Sequence, residues 1–95
     1  MNKSDFVTIF AERAVLSKRQ AMEAFNVLFE LVREEVQREG RLRIDGFGTF
    51  DIVDRQARTA RNPQTGATIQ IPARKEIRFK ASSVWKQIVN EKDGE

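Results

Sequence analysis

The sequence contains neither cysteine nor histidine, and these two absences exclude several kinds of chemistry. Without cysteine there can be no disulfide and no thiolate metal site. Without histidine, the usual general base and the commonest metal ligand are also missing. We therefore predict no catalytic residues, no metal, no cofactor and no small-molecule substrate. Glutamate pairs such as Glu30 and Glu34 are interpreted as the outer faces of helices, so we expect the protein not to be an enzyme.

Long apolar runs are also absent, so we expect no signal peptide, no membrane span and a cytoplasmic location. The 95 residues are enough for a single domain, 1–95. About a quarter of the chain lies in a basic stretch that adds little to a core, which leaves a body near the size at which one core is marginal. Oligomerisation would remedy that shortage.

Positive charge is concentrated in residues 55–80. This segment carries seven basic side chains and one acidic one, a net charge of +6, whereas the whole chain carries +3. The rest of the protein is therefore mildly acidic, and a polyanion such as nucleic acid is the first candidate partner. The basic residues of the segment are Arg55, Arg58, Arg61, Arg74, Lys75, Arg78 and Lys80.

The middle of this basic segment reads Asn62-Pro63-Gln64-Thr65-Gly66. Proline and glycine at this spacing favour a tight turn, and residues 68–71 alternate polar with apolar, the period of a strand. We predict a long two-stranded ribbon with Pro63 at or near its tip. A disordered basic loop is the alternative.

Two helices are predicted before the ribbon, each with a capping signal at its start. Asn2 with Asp5 begins a helix that runs to about residue 14, and Ser17 with Gln20 begins one that runs from Lys18 to about Glu39. Gly40 ends the second helix. Its apolar stripe covers more than half of the circumference, which favours a second copy of the chain as partner over coverage by a sheet alone.

Strands are predicted around the sequence GFGTF at 46–50, with residues 41–45 before it and 51–53 after it. Phe47, Phe50 and Ile52 are core candidates there, and Ile77 and Phe79 are expected to return to the core after the ribbon. Arg41 and Arg43 are interpreted as solvent-facing. The two glycines lack the spacing of a phosphate-binding loop, so we assign them to a turn. Ser82 or Ser83 is expected to cap a short last helix.

Two helices, GFGTF at 46–50, RNPQTG at 61–66 and IRFKAS at 77–82 together resemble the bacterial HU/IHF family of DNA-bending proteins, over essentially the whole chain. The resemblance implies an α+β fold: an intertwined dimer with a helical base, a β-sheet saddle and two protruding β-ribbon arms. The implied parts are a helical dimerisation part (1–40), saddle strands (41–54 and 76–80), a DNA-binding arm (55–75) and a C-terminal helix (82–92). The predicted dimer core comprises Phe25, Leu28, Phe29, Val32, Val36, Leu42, Ile44, Phe47, Phe50 and Phe79.

The resemblance also implies a DNA-binding surface in which Pro63 wedges between base pairs from the minor groove. Ser83 stands where many members carry a lysine, and we expect this departure, with Glu76 and the acidic tail, to weaken DNA wrapping. The DNA-binding residues implied are Lys3, Arg55, Arg58, Arg61, Asn62, Pro63, Gln64, Arg74, Lys75, Arg78, Lys80 and Lys86.

The function expected from sequence is that of a non-sequence-specific architectural protein of the nucleoid. It would bind double-stranded DNA as a homodimer and bend or wrap it through the minor groove, with a preference for flexible, nicked or A·T-rich duplexes. Two alternatives stay open: an IHF-like protein that prefers defined sites, and a ribbon clamp for RNA or a protein partner.

Overall fold

The computed structural model describes residues 1–93, which form an α+β structure. Contacts within the chain divide it into two compact units, residues 1–35 and residues 36 onward, and each is considered by itself. The elements in chain order are α1 (Lys3–Ala14), α2 (Lys18–Glu39), β1 (Arg41–Ile44), β2 (Gly48–Arg55), β3 (Arg58–Arg61), β4 (Thr68–Ile71), β5 (Arg74–Ala81) and α3 (Ser83–Asp93). The predicted α+β class is thereby confirmed.

Both helices that begin in the first unit start at the predicted capping boxes. The Asp5 amide donates to Asn2 Oδ1 at 3.0 Å, and the Asp5 carboxylate accepts from the Asn2 amide. The Gln20 amide donates to Ser17 Oγ at 3.1 Å while Gln20 Oε1 accepts from the Ser17 amide at 3.0 Å. Each box satisfies two backbone donors that a helix start otherwise leaves without partners.

The core of the first unit is small. Val7, Ala11 and Ala21 are buried, and Phe10, Met22 and Phe25 pack against them. Further along α2, three large apolar side chains are exposed by half or more: Val27, Leu28 and Leu31. The stripe on α2 that the sequence predicted is therefore only partly covered within a single chain.

The second unit contains the three-stranded antiparallel sheet β1-β2-β5. Gly40 precedes it with φ +79°, and its amide donates to the Val36 carbonyl at 2.7 Å, so the predicted end of α2 is confirmed. Leu42 pairs with Phe50, and Phe50 pairs with Phe79, which places these three side chains on one face of the sheet. This face is the apolar one.

Aromatic rings dominate the apolar face of the second unit. Phe47 stacks on Trp85 with ring centroids 5.0 Å apart, and Phe79 lies 4.7 Å from Phe50 and 5.4 Å from Phe47. The expectation that Ile77 returns to the core is wrong for the single chain, because its side chain is 77% exposed. Ile77 pairs with Ile52 on this face but lies beyond the aromatic cluster, so none of these rings covers it.

A second pair of strands, β3 and β4, continues the β2–β5 pair in the same register. The lower ladder ends at Arg55 opposite Arg74, and the upper one begins at Arg58 opposite Ile71. The residues between them, 56–57 and 72–73, are outside any strand. Pro72 has no N–H to donate, which accounts for the interruption. The predicted ribbon is confirmed, and the disordered-loop alternative is wrong.

The last helix begins after Ser82, whose Oγ accepts a hydrogen bond from the Trp85 amide at 3.1 Å. Ser82 rather than Ser83 is therefore the cap. Within residues 1–93, no helix has the length and apolar character needed to cross a bilayer.

Most of the predicted dimer core is not buried by the single chain. Of those ten residues only Val36 is buried, and the others are half-buried or exposed. Their assignment to a dimer interface, like the predicted functional division of the chain, stays a prediction. The nine incompletely buried members are Phe25, Leu28, Phe29, Val32, Leu42, Ile44, Phe47, Phe50 and Phe79.

Candidate nucleic-acid interface

The tip of the ribbon is a turn that uses most of its polar groups internally. The Asn62 amide donates to the Ala67 carbonyl at 2.8 Å, and the Gly66 amide donates to the Asn62 carbonyl at 2.7 Å. Asn62 Oδ1 accepts from the Gln64 amide at 2.9 Å. Gly66 has φ +75°, a conformation that favours glycine. Pro63 is exposed within this turn, so a rigid apolar ring stands at the end of the arm.

The upper ribbon presents different chemistry on its two faces. Arg58 is opposite Ile71, whereas Arg61 is opposite Thr68. Because side chains alternate along a strand, the two arginines project from opposite faces. Both are exposed, and neither has a carboxylate partner within residues 1–93. They are therefore the arm cations most available to an external anion.

The lower sheet has a charged face opposite its aromatic one. Arg41, Asp51 and Arg78 are paired in one row across β1, β2 and β5, and Arg43, Thr49 and Lys80 form the next row. Sequence reasoning left Arg41 and Arg43 out of the candidate interface. The alternation of residues 41–45 already places them on one side of a strand, but only the register shows that Arg78 and Lys80 share that side.

Three carboxylates hold four of the predicted DNA-binding cations in place. Arg78 makes two hydrogen bonds to Asp51, of 3.0 and 2.8 Å. Glu76 Oε2 accepts from Arg55 Nε at 3.1 Å, and its Oε1 accepts from Arg74 Nε at 2.7 Å. The fourth cation is Lys75, whose Nζ lies 3.2 Å from Asp54 Oδ1.

Two of these carboxylates have a lowered pKa, and one of the arginines has a raised pKa. The hydrogen bond from Arg78 lowers the pKa of Asp51 below its ordinary value of 3.8, and the same bond raises the pKa of Arg78. Hydrogen bonds from Arg55 and then Arg74 lower the pKa of Glu76 below its ordinary 4.5. All three groups are therefore charged at neutral pH.

The predicted residues do not all lie on one face. Lys75 is opposite Asp54, so strand alternation places it on the face of Ile77 and Phe79, away from Arg74 and Arg78. At the interruption of the ladder the structure does bring several of them together. A cleft of about 570 Å³ opens there, lined by Arg55, Gln56, Ala57, Arg58, Arg74 and Glu76.

The two candidate cations outside the ribbon occupy different surroundings. In the first unit, Lys3 Nζ donates to Asn26 Oδ1 at 2.7 Å and lies 5.7 Å from the centre of the Phe25 ring. In the second unit, Lys86 is exposed on α3. Lys3 would have to exchange a local hydrogen bond for one to phosphate, whereas Lys86 would not.

Comparison with known proteins gives this surface its context. The sequence model of the family described as bacterial DNA-binding protein matches residues 1–90 of the chain. The chain belongs to this family. Among relatives of this bacterial DNA-binding protein, DNA-binding protein HU-1 of Halalkalibacterium halodurans is 42% identical over 90 residues, covering 95% of this chain and 100% of that one. Integration host factor subunit alpha of an Anaeromyxobacter species is 37% identical over 90 residues, covering 95% of this chain and 80% of that one.

Among solved structures, the Anabaena HU–DNA cocrystal structure is similar to this family member with a TM-score of 0.81. The two chains are 34% identical, and the match covers 94% of this chain and 97% of the other. The resemblance stated from GFGTF, RNPQTG and IRFKAS is thereby confirmed, and so is the fold class with its ribbon arm.

Proposed function

We propose that this DNA-binding protein is an architectural one: it binds duplex DNA without strong sequence specificity, bends it through the minor groove and helps to organise the nucleoid. The observation that carries this proposal is the exposed Pro63 at the tip of a paired, basic ribbon. Arg58 and Arg61 precede that tip on β3, and neither has a carboxylate partner within residues 1–93. Neutralising phosphates with these side chains would release counterions, which makes binding favourable and strongly dependent on salt.

Pro63 is suited to act as a wedge between base pairs. Its ring is rigid and apolar and carries no N–H that burial in a base stack would leave unsatisfied. Partial unstacking of one step costs about a few kcal/mol, and the bend it produces brings more protein surface onto the DNA. The internal hydrogen bonds of the turn support this role, because they hold the ring in place before DNA arrives.

The proposed form is a homodimer. The support is the incomplete burial of the predicted dimer core together with Ile77, an isoleucine on the apolar sheet face that remains largely exposed in a single chain. Isolated apolar side chains on a surface are ordinary, but a run of them along one helix, and another along one sheet face, are each typical of an interface. A second copy would supply a matching surface by symmetry.

The proposed DNA preference follows from the groove that is contacted. The minor groove separates A·T from G·C but not A·T from T·A or G·C from C·G, so it carries little sequence information and the arms would select mainly deformability. We expect tighter binding to flexible, nicked or A·T-rich duplexes than to stiff ones. The proposed location, in the cytoplasm on the nucleoid, follows from the same activity.

A mobility shift that compares intact, nicked and four-way-junction DNA of equal length, at several salt concentrations, tests the proposal. We expect all three to bind at low salt, the nicked and branched forms more tightly, with affinity falling steeply as salt rises. Absence of binding to any duplex at low ionic strength would overturn the proposal. Affinity that hardly changes with salt, or a strong preference for RNA, would favour a clamp for another partner.

A site-preferring DNA bender is the second candidate. Its support is the 37% identity to a relative named integration host factor subunit alpha. The discriminating measurement is the affinity for a defined site relative to random duplex at one fixed salt concentration. Binding to a defined site thousands of times tighter than to random duplex would favour this candidate over the first.

A further inference from the structure

The carboxylate of Glu76 lies between two arginines at the base of the arm. Arg55 Nε is 3.1 Å from Oε2, and Arg74 Nη2 is 2.6 Å from Oε1, so each oxygen is bound by a different guanidinium. A DNA phosphate likewise has two anionic oxygens, and the same two guanidinium groups could bind them. In the free protein, the carboxylate of Glu76 therefore occupies a position in which a DNA phosphate could bind.

The place of this cluster in the arm makes it relevant to DNA binding. Arg55 opposite Arg74 is the last pair of the lower ladder, next to the interruption at Pro72. The cleft there is also lined by Arg58, so three guanidinium groups surround it and Glu76 is its only carboxylate among the described lining residues. Such a cleft is positively charged overall and retains attraction for a phosphate even while Glu76 is in place.

The ion pairs of Glu76 are solvated enough to be exchanged. The side chains of Arg55 and Arg74 are about half exposed, and that of Glu76 is 35% exposed. Ion pairs at such sites contribute little to stability because water and salt compete with them. They can therefore open when a better anion approaches, without unfolding the ribbon.

We propose that Glu76 is an internal competitor for DNA phosphate at the base of the arm. In the free protein it holds Arg55 and Arg74, and each arginine must exchange this carboxylate for phosphate when DNA enters the cleft. Glu76 thus lowers affinity and also lowers the number of net phosphate contacts that the arm makes. This inference rests on the proposed DNA-binding function, which the same experiment tests separately.

The experiment is a fluorescence-anisotropy titration of a labelled random duplex with the full chain at several salt concentrations. Glu76→Gln keeps the side-chain volume and removes the charge. Glu12→Gln removes the same charge from the exposed surface of α1, where the carboxylate has no ion pair within residues 1–93. We expect Glu76→Gln to bind about three- to tenfold tighter than Glu12→Gln, since two exposed pairs are released. The slope of its log binding constant against log salt concentration should also be larger in magnitude by about one to two.

A double-mutant comparison separates phosphate exchange from a simple gain of positive charge. Arg55→Ala is made in the wild-type chain and in Glu76→Gln. We expect Arg55→Ala to weaken binding more in the Glu76→Gln background, because only there is the arginine free of its carboxylate. Glu76→Thr, which also removes the charge and suits a strand, provides a second variant if Glu76→Gln proves unfolded by circular dichroism.

The outcomes distinguish the two proposals. If the wild-type chain does not bind duplex at low salt, the proposed function fails and this inference fails with it. If the wild type binds but Glu76→Gln and Glu76→Thr match Glu12→Gln in affinity and salt slope, only the competitor role is overturned. An equal effect of Arg55→Ala in both backgrounds would overturn it as well.

Discussion

Arg78 on β5 binds both carboxylate oxygens of Asp51 on β2. Its Nε lies 3.0 Å from Oδ1 and its Nη2 lies 2.8 Å from Oδ2, a geometry in which the planar guanidinium matches the carboxylate. The Asp51 side chain is only 19% exposed, so this pair is the most shielded of the ion pairs on the charged face. It joins the central strand of the sheet to the strand that returns from the arm.

This pair predicts how thermal stability depends on pH. The pKa of Asp51 is lower in the folded chain than its ordinary value of 3.8, and the pKa of Glu76 is lowered from 4.5. Both carboxylates therefore contribute stability above their ordinary pKa values, and the contribution is lost as the pH falls through the lower folded values. We expect the melting temperature to drop as the solution is acidified through this range.

Circular dichroism melts of the wild type and of Asp51→Asn over the acidic range check this expectation. Asp51→Asn should melt at a lower temperature than the wild type at neutral pH, because Arg78 loses its charged partner. Its melting temperature should then fall less steeply on acidification. Parallel profiles for the two proteins would show that this pair is not a source of the pH dependence.

Replacing Val15 with glycine should increase the stability of the protein. It follows α1 with φ +57° and ψ +51°, a left-handed conformation that is unfavourable for a β-branched residue. Its side chain is 88% exposed, so little burial is lost on truncation. We expect Val15→Gly to stabilise the protein by about 0.5–1 kcal/mol. Ala14→Gly, at the last residue of α1, relieves no positive φ; it is the control and should not stabilise the protein. Urea denaturation measures both.

Adding a side chain at Gly48 should destabilise the protein. A Cβ at this position would lie 2.5 Å from Phe79 Cζ and 2.6 Å from the Lys80 carbonyl oxygen. We expect Gly48→Ala to cost about 1–3 kcal/mol, because a ring of the aromatic cluster must shift. Gly46→Ala is the comparison, since it meets open space and costs only the strain of its positive φ. If Gly48→Ala changed the intensity of Trp85 fluorescence no more than Gly46→Ala, the proposed ring displacement would be excluded.

Pro63→Ala should reduce DNA bending more than DNA binding. Removing the ring takes away the apolar wedge but leaves every arm cation in place. Fluorescence transfer between dyes at the two ends of a short duplex measures the bend, and anisotropy measures affinity on the same DNA. Gln70→Ala, at an exposed position on β4 of the same ribbon, leaves Pro63 in place; it is the control and should bend DNA as the wild type does. An unchanged transfer efficiency for Pro63→Ala would rule out the wedge.

Replacing Arg58 and Arg61 together by alanine should weaken binding to all duplexes alike. Both side chains are exposed and have no acidic partner among residues 1–93, so their loss removes phosphate contacts without freeing a carboxylate. Each arm of the proposed dimer loses two phosphate contacts, so we expect the salt slope to fall in magnitude by about four. Arg13→Ala with Arg19→Ala, on the helices of the first unit, removes the same charge and serves as control. A loss confined to particular sequences would contradict groove binding by charge.

Local signals in the amino-acid sequence account for much of the fold. Ser17 with Gln20 predicted the start of α2, Gly40 its end, and Pro63 the turn of the ribbon, and the structure confirms all three. Each of these signals involves residues within about four positions of one another, so the backbone hydrogen bond that they form is decided by the local sequence. The same holds for the concentration of positive charge in residues 55–80, which is read directly from the order of residues in the chain.

The arrangement of that charge could not be derived in the same way. Glu76 reaches Arg55 across 21 positions, and Arg78 reaches Asp51 across 27. Which carboxylate meets which arginine depends on the register of β2 against β5, and a slip of one residue would move every side chain to the other face. Sequence reasoning therefore grouped Lys75 with Arg74, although strand alternation places them on opposite faces.

The burial of apolar side chains was likewise only partly predictable from the sequence. An apolar stripe along α2 could be counted from the sequence, and it pointed to more surface than a single helix could cover. The sequence could not show that Ile77 would be left exposed while Phe79 packs against Phe50, because burial depends on contacts between segments far apart in the chain. The helices, the strands and the basic segment follow from residues that are neighbours in the sequence. The pairing of the strands alone decides which ion pairs restrain the arm and which apolar surface is left uncovered.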